Sequence, residues 1–373
     1  MKITVITDTD FKSSGYFSLM MPLCQGLSKL GHDIKIAGLG YKGEEHPWDF
    51  SIIPAQDVKE CASIIQNLYL VWGSEVLIVA MDIPIQRTFL KLFENRKFKY
   101  VGIFPIESDP LSFKWAMAVL QMDKAFCISD FGAKEADKKG APAENLVIGV
   151  DMDSWRIPKE GEREKIRKAF NVSEDAFVVL SISDNQERKN WYAMLHAFNK
   201  FAKDKDNVYY VIVTRQDFFA GWDLDELGMD IGIREKLILL DRGMGFKELW
   251  GLHAMSDAYM LLSKAEGLSM TTLEAMATGL PVIATNCTAQ IEHLKDGRGF
   301  LVDYLINDDY SFPPRDPFGL GYRYFANTTQ TAEILEGIYD GSLKHDQDAA
   351  LEYVRSRSWE NAINQVDEGL KKL

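Results

Sequence analysis

The chain has 373 residues, 46% hydrophobic and 26% charged, the proportions of a globular protein with apolar material for two cores. This composition excludes disorder, collagen and small disulfide scaffolds. A formal charge of −13, from 42 Lys/Arg against 55 Asp/Glu, argues against a general grip on nucleic acid, which needs clustered cations. The charge is uneven: residues 1–150 hold 16 Lys/Arg and 18 Asp/Glu, residues 151–373 hold 26 and 37, so a local basic patch in the first half stays compatible with an acidic whole.

Taken in chain order, apolar runs predict strands at 3–7, 33–37, 50–53, 76–81, 100–104, 125–128 and 145–149. Amphipathic stretches predict helices at 16–30, 57–71, 85–95, 112–121 and 131–139. Strand–helix alternation implies a parallel sheet with helices on both faces. The stretch DMDSWRIPKEGERE, with Pro158 and Gly161, interrupts it as a linker. A second set follows, with strands at 177–182, 208–213, 237–240, 258–262, 281–284 and 300–302, and helices at 163–170, 190–203, 246–255, 270–278 and 288–295. Residues 303–325, rich in Pro, Gly and aromatics, read as a structured insertion loop. Helices close the chain from about 329, the last one capped by Ser358.

The expected architecture is therefore α/β, with two tandem Rossmann-like doubly wound domains, 1–155 and 156–358, and a ligand cleft between them. The terminal helix, about 359–373, is expected to pack back on the first domain, with Trp359 as a packing anchor. The opening MKITVITDTD reads as a strand rather than a signal peptide, and no window holds the ~18 apolar residues of a membrane span. A cytoplasmic location is expected, with Cys24, Cys61, Cys127 and Cys287 as buried free thiols.

Several motifs carry nothing. GLGYKG (Gly38, Gly40, Gly43) spells a dinucleotide fingerprint, but Pro47 spoils the helix start that a phosphate site requires. D-x-D occurs five times, as an acidic chain allows, and the six histidines form no metal-binding pair. No metal site is expected. Ser129, before a helix, is explained as an N-cap.

Residues 258–285 carry the chemistry. A buried strand ends near Ser263, AEGLS forms a loop, and a helix begins near Met270 and runs to Gly279. A helix N-terminus at the carboxyl end of a strand presents free N–H groups and a positive dipole end, which is an anion site. Glu266 precedes the helix and Glu274 lies one turn in, so both carboxylates can reach one ligand, as two sets of sugar hydroxyls would require.

EGLSMTTLEAMATGLPVIAT resembles the E-x7-E block of retaining GT-B glycosyltransferases of glycosyltransferase family 4. DNQERKNWYAMLHAF, with Arg188 and Lys189, IEHLKDGRGFLV and IGVDMDSW resemble other blocks of that family in the same order. The resemblance is good over roughly 100–302 and holds only in outline before that. It implies that Glu266 and the N–H groups of Gly267, Leu268 and Ser269 hold the donor sugar, that Glu274 holds the ribose, and that Arg188 and Lys189 neutralise the diphosphate. Asp184 and Asn185 stand where the family often has an arginine, and Ser269 and Thr271 where it has Gly and Pro.

On the first domain, the family's glycine-containing loop corresponds to DTDFKSSGYFS, with Gly15 on the donor. The family's histidine is replaced by FPIESDP, leaving Glu107, Asp109 and Asp82 as acceptor-side candidates. The implied activity is retaining transfer from a nucleotide-diphosphate sugar, UDP- or GDP-linked, with no cofactor. The acceptor would be a glycan, a lipid, a small molecule or, less in keeping with the charge, a nucleic acid. Alternatives on the same fold are a phosphorylase, a sugar-nucleotide epimerase, or a catalytically silent nucleotide-sugar-binding protein.

Overall fold

The computed structural model describes the chain except residues 11–14, 217–220 and 312–320; over 306–311 only the backbone is described. Two compact units are present. One takes in Met1–Gly149 and Arg357–Leu373, the other Val150–Ser311 and Tyr322–Ser356.

The first unit runs β1 (Lys2–Asp8), α1 (Gly15–Lys29), β2 (Asp33–Leu39), β3 (Ser51–Ala55), α2 (Val58–Asn67), β4 (Val76–Ala80), α3 (Ile83–Leu92), β5 (Lys99–Phe104), α4 (Phe113–Val119), β6 (Lys124–Cys127), α5 (Asp130–Lys138) and β7 (Glu144–Asn145). Its strands form a parallel sheet in the order β3-β2-β1-β4-β5-β6-β7. Every residue of β4, VLIVA, is buried, as expected for a strand covered on both faces. Asp57, Ser112 and Ser129 accept hydrogen bonds from backbone N–H groups at the starts of α2, α4 and α5. GLGYKG ends β2 and leads into irregular chain without a helix.

The second unit runs α6 (Glu162–Ala169), β8 (Phe177–Ile182), α7 (Trp191–Ala202), β9 (Val208–Thr214), α8 (Leu224–Asp230), β10 (Leu237–Asp241), α9 (Phe246–Met255), β11 (Ala258–Leu261), α10 (Met270–Ala277), β12 (Val282–Thr285), α11 (Thr288–Leu294), β13 (Phe300–Val302), β14 (Tyr304–Ser311), β15 (Gly321–Ala326), α12 (Thr328–Tyr339) and α13 (Gln347–Arg355). Its parallel sheet has the order β10-β9-β8-β11-β12-β13.

Two expectations are corrected here. Residues 303–325 are not simply a loop: β14 and β15 pair as a two-stranded sheet. Helix α8 occupies a stretch for which no element was expected.

The last helix, α14 (Trp359–Lys371), belongs to the first unit and packs on α1. A Cβ on Gly149 would lie 2.5 Å from the Trp359 backbone nitrogen, and one on Gly26 would lie 2.1 Å from Ile363 Cδ1. His32 Nε2 and Asp367 Oδ1 meet at 2.8 Å in a buried pair across the same contact. All four cysteines are buried, and none is in a disulfide. Among the described residues no helix is long and apolar enough to cross a membrane.

Both sheets reverse their strand order once, between β1 and β4 and between β8 and β11. In an open parallel sheet that reversal leaves a crevice outside the carboxyl ends of the two strands, because the connecting helices there leave on opposite faces. Of the residues singled out from the sequence, Gly15 and Asp82 follow β1 and β4, and Arg188, Lys189 and Glu266 follow β8 and β11.

Candidate active site

In the second unit the crevice is lined by the loops after β8 and β11. After β8, Asn185 holds the backbone of Trp222 through two hydrogen bonds, of 2.8 and 2.9 Å. A single 3-10 turn, Glu187–Lys189, then leads to Asn190, whose φ of +62° redirects the chain into α7. The two loops are stitched together: the Lys264 N–H donates to the Arg188 carbonyl at 2.8 Å, and Asn190 Nδ2 donates to the Leu262 carbonyl at 3.0 Å. Lys264 also pairs with Glu187.

This stitching brings Arg188 and Lys189 onto Glu266. Lys189 Nζ lies 2.6 Å from Glu266 Oε1, and Arg188 Nη1 lies 3.0 Å from Oε2 and 2.7 Å from the Ala265 carbonyl. Glu266 is 4% exposed. Burial alone would raise its carboxyl. The charges of Lys189 and Arg188 outweigh burial and bring it down to about 2. Its own N–H donates to Thr288 Oγ1 at 2.8 Å, which fixes the loop. Thr288 was not foreseen, and no spacing rule would have found it, because it lies 22 positions away.

The chain then turns through Gly267, Leu268 and Ser269 into α10. Ser269 has a φ of +85°, and its hydroxyl accepts from the Thr272 N–H. Among the described residues the N–H groups of Gly267, Leu268, Ser269, Met270 and Thr271 have no acceptor. The helix therefore starts with open donors beside two cations. Thr271 receives a hydrogen bond of 2.7 Å from the Tyr259 hydroxyl, and the Leu268 carbonyl lies 3.0 Å from His293 Nε2. Polar contacts thus hold the helix entry.

Glu274, on the next turn of α10, is half-buried, and its carboxylate makes no hydrogen bond or ion pair among the described residues. Burial pushes its carboxyl up to about 7. One crevice therefore holds an ionised, paired carboxylate and an unpaired one that titrates near neutrality.

Asp184, where the family pattern often has a cation, is held by Arg215, whose Nε lies 3.0 Å from Asp184 Oδ1. The cation sits on the neighbouring strand end and is neutralised there, while Arg188 stays with Glu266.

In the first unit, Gly15 opens α1, Asp82 follows β4 and Glu107 follows β5. Residues 11–14 of the expected glycine loop lie outside the described residues. Tyr16 joins the first-unit candidates: burial and the charges of Asp82, Glu107 and Asp8 raise its phenol well above the ordinary value. Tyr16 was not singled out from sequence, since a tyrosine opening a helix carries no signal of its own. Asp109 lies two residues beyond Glu107 in the same loop after β5. No group of three or more His, Cys, Asp or Glu capable of holding a metal occurs among the described residues.

Residues 162–309 match the model of the family described as Glycosyl transferases group 1. That match falls within the second unit. A GDP-mannose-dependent alpha-(1-6)-phosphatidylinositol monomannoside mannosyltransferase of Mycolicibacterium smegmatis is 28% identical over 171 residues, 44% of each chain. An N-acetyl-alpha-D-glucosaminyl L-malate synthase of Bacillus anthracis is 24% identical over 184 residues, 49% of this chain and 47% of that one. The chain thus spans under half the length of these relatives. Anabaena HepE, solved with UDP and glucose, superposes with a TM-score of 0.77 at 14% identity over the whole of both chains. A glycosyltransferase of Rickettsia africae gives 0.76 at 17% identity, over 100% of this chain and 98% of that one. The fold is that of these transferases: two parallel-sheet, Rossmann-like units.

Proposed function

We propose that this chain is a retaining glycosyltransferase that moves a sugar from a nucleoside diphosphate sugar to an acceptor hydroxyl. The observation that carries the reading is the Glu266–Arg188–Lys189 triad beside the open N–H groups of Gly267 to Thr271, at the sheet's reversal point. A departing diphosphate develops negative charge, and two fixed cations with a helix N-terminus are oriented for that charge before it forms. They perform the neutralisation for which other transferases recruit a metal, so none is required. Glu266 would accept from the donor sugar's hydroxyls and Glu274 from the ribose. Gly15, Asp82, Glu107 and Asp109 are the proposed contacts of the first unit, Gly15 on the donor and the three carboxylates on the acceptor.

In the proposed step the bond from the anomeric carbon to the phosphate oxygen breaks. The acceptor oxygen bonds to that carbon on the same face, and its proton passes to the leaving phosphate. Retention by this route needs no protein base, in keeping with a site whose ionised carboxylate is already tied to two cations. The donor is a UDP- or GDP-sugar: HepE has also been solved with UDP-glucose, and the mycobacterial relative is named for GDP-mannose.

The test is a panel of UDP-, GDP- and ADP-sugars against wild type, Glu266→Ala and Lys189→Ala, read by thermal stabilisation and by slow nucleotide release. One donor should stabilise and be slowly hydrolysed, with both effects lost in the variants. No response to any donor would overturn the assignment. Turnover that needs inorganic phosphate, or that yields a free nucleotide sugar, would replace it by a phosphorylase or an epimerase. Stabilisation without release in the presence of acceptors would leave a silent binding protein.

A further inference from the structure

The chain between β2 and β3, residues 40–50 (GYKGEEHPWDF), has no helix or strand, yet it gathers aromatic rings. The ring centres of His46 and Trp48 lie 5.3 Å apart, those of Trp48 and Phe50 5.9 Å, and those of His46 and Phe50 6.5 Å. Their planes are 29°, 5° and 25° from parallel. In a column the outer two rings would stand well beyond 6.5 Å, so these three form a slipped, tile-like group. Phe17, on α1, meets Trp48 edge-on at 5.6 Å. Tyr41 and Phe50 are buried and anchor the loop, whereas Phe17, His46 and Trp48 are half-exposed. The loop thus holds an apolar aromatic surface in place by ring packing rather than by secondary structure.

This surface stands at the carboxyl edge of the first sheet. The Thr9 N–H donates to the Leu39 carbonyl at 2.9 Å, so the loop leaves β2 beside the end of β1. Phe17 follows Tyr16 on the first turn of α1, and Tyr16 feels the charges of Asp82, Glu107 and Asp8. The loop itself adds Glu44, Glu45 and Asp49 against one lysine, Lys42. Aromatic faces are electron-rich and attract the C–H face of a pyranose ring, while carboxylates accept hydrogen bonds from its hydroxyls. The same carboxylates repel a phosphate or a carboxylate. An alkyl chain would suit the rings but would strip water from the carboxylates without giving them a partner. We propose that Trp48, held by His46, Phe50 and Phe17, is the platform on which the acceptor lies, and that this acceptor is an uncharged pyranoside. The acceptor role rests on the transferase reading, whereas the platform lies wholly within the first unit.

The experiment titrates the full chain, with and without UDP or GDP, and reads binding by saturation-transfer NMR. The neutral probes are the methyl pyranosides of mannose, glucose, galactose, N-acetylglucosamine and rhamnose. The anionic probes are myo-inositol 1-phosphate and L-malate. At least one neutral pyranoside should bind, and neither anion should. Binding should fall at least about tenfold in Trp48→Ala and stay within about threefold of wild type in Trp48→Phe, which keeps an aromatic face. Unchanged far-ultraviolet circular dichroism checks that both variants fold, and stabilisation by the donor should be the same in both as in wild type. No binding of any neutral pyranoside, tighter binding of either anion, or a Trp48→Ala protein that binds like wild type would overturn the inference, even where the donor panel succeeds. Pyranoside binding that depends on Trp48, with no response to any donor, would uphold the sugar platform and overturn the transferase reading instead.

Discussion

Glu266 and Glu274 are both buried carboxyls within one crevice, yet they end on opposite sides of the ordinary carboxylate range, because one has two cations and the other has none. Their effects on stability therefore have opposite signs. Glu274 is raised from 4.5 to about 7 in the folded state. Ionising it costs the fold nothing below pH 4.5, progressively more through pH 7, and at most on the order of 3 kcal/mol above that. Glu274→Gln should thus melt with wild type at pH 4 and above it at pH 8, while losing about tenfold in donor affinity, the usual exchange at a binding site. Glu266 is lowered to about 2, so its contribution is full above pH 4.5 and is lost as pH falls toward 2. Glu266→Gln leaves two cations without their counter-charge and should cost roughly 3 kcal/mol or more at pH 7, the gap to wild type closing in acid. Thermal melts of the three proteins from pH 3 to 8 check both. At this scale the E-x7-E spacing and the Arg188-Lys189 pair were legible because they are local. The Arg215 partner of Asp184, the Thr288 anchor and Tyr16 were not, because each is defined by a neighbour on another loop or strand.

The entry to α10 shows what an element asks of a single position. Ser269 takes a φ of +85° and also caps Thr272. The two demands conflict: the left-handed backbone favours glycine, while the cap favours a hydroxyl. Glycine, the residue common at this point of the family pattern, meets the first demand and serine the second. Ser269→Ala loses the cap and keeps the strain, so it should unfold about 1 kcal/mol more easily in urea than Ser269→Gly, with the glycine variant close to wild type. An alanine variant as stable as glycine would mean that the backbone there relaxes.

Elsewhere the element boundaries were readable to within a few residues wherever an apolar run met Gly, Pro or a capping residue, as at β8, where 177–182 is both the expected and the observed strand. The short α8, LDELGMD, escaped because a seven-residue acidic stretch shows little periodicity. It is held by packing, since Gly228 leaves room for Leu237 Cδ1 at a point where a Cβ would stand 2.7 Å away.

At the scale of the molecule, the two-sheet plan was visible in the alternation of runs, but the exact seat of the last helix was not. The contact joins His32 to Asp367, 335 positions apart. Helix α14 closes the first unit over β7 and α1, and the closure depends on two glycines. At Gly26 a methyl group would collide with the Ile363 side chain, which can rotate away. At Gly149 it would meet the Trp359 backbone at 2.5 and 2.7 Å, which cannot yield without moving the helix. Gly149→Ala should therefore be the costlier change, destabilising the first unit by about 1–3 kcal/mol, as overpacking of a fixed contact does, with Gly26→Ala milder. Deleting Arg357–Leu373 should exceed both, since it exposes the apolar face of α1 and leaves His32 without Asp367. Each unit has its own core, so calorimetry should resolve two transitions. The substitutions should lower one of them, and a bound nucleotide sugar should raise the other. If a single transition moves as a whole in every variant, the units unfold as one cooperative block, and α14 stabilises the entire chain rather than the first unit alone.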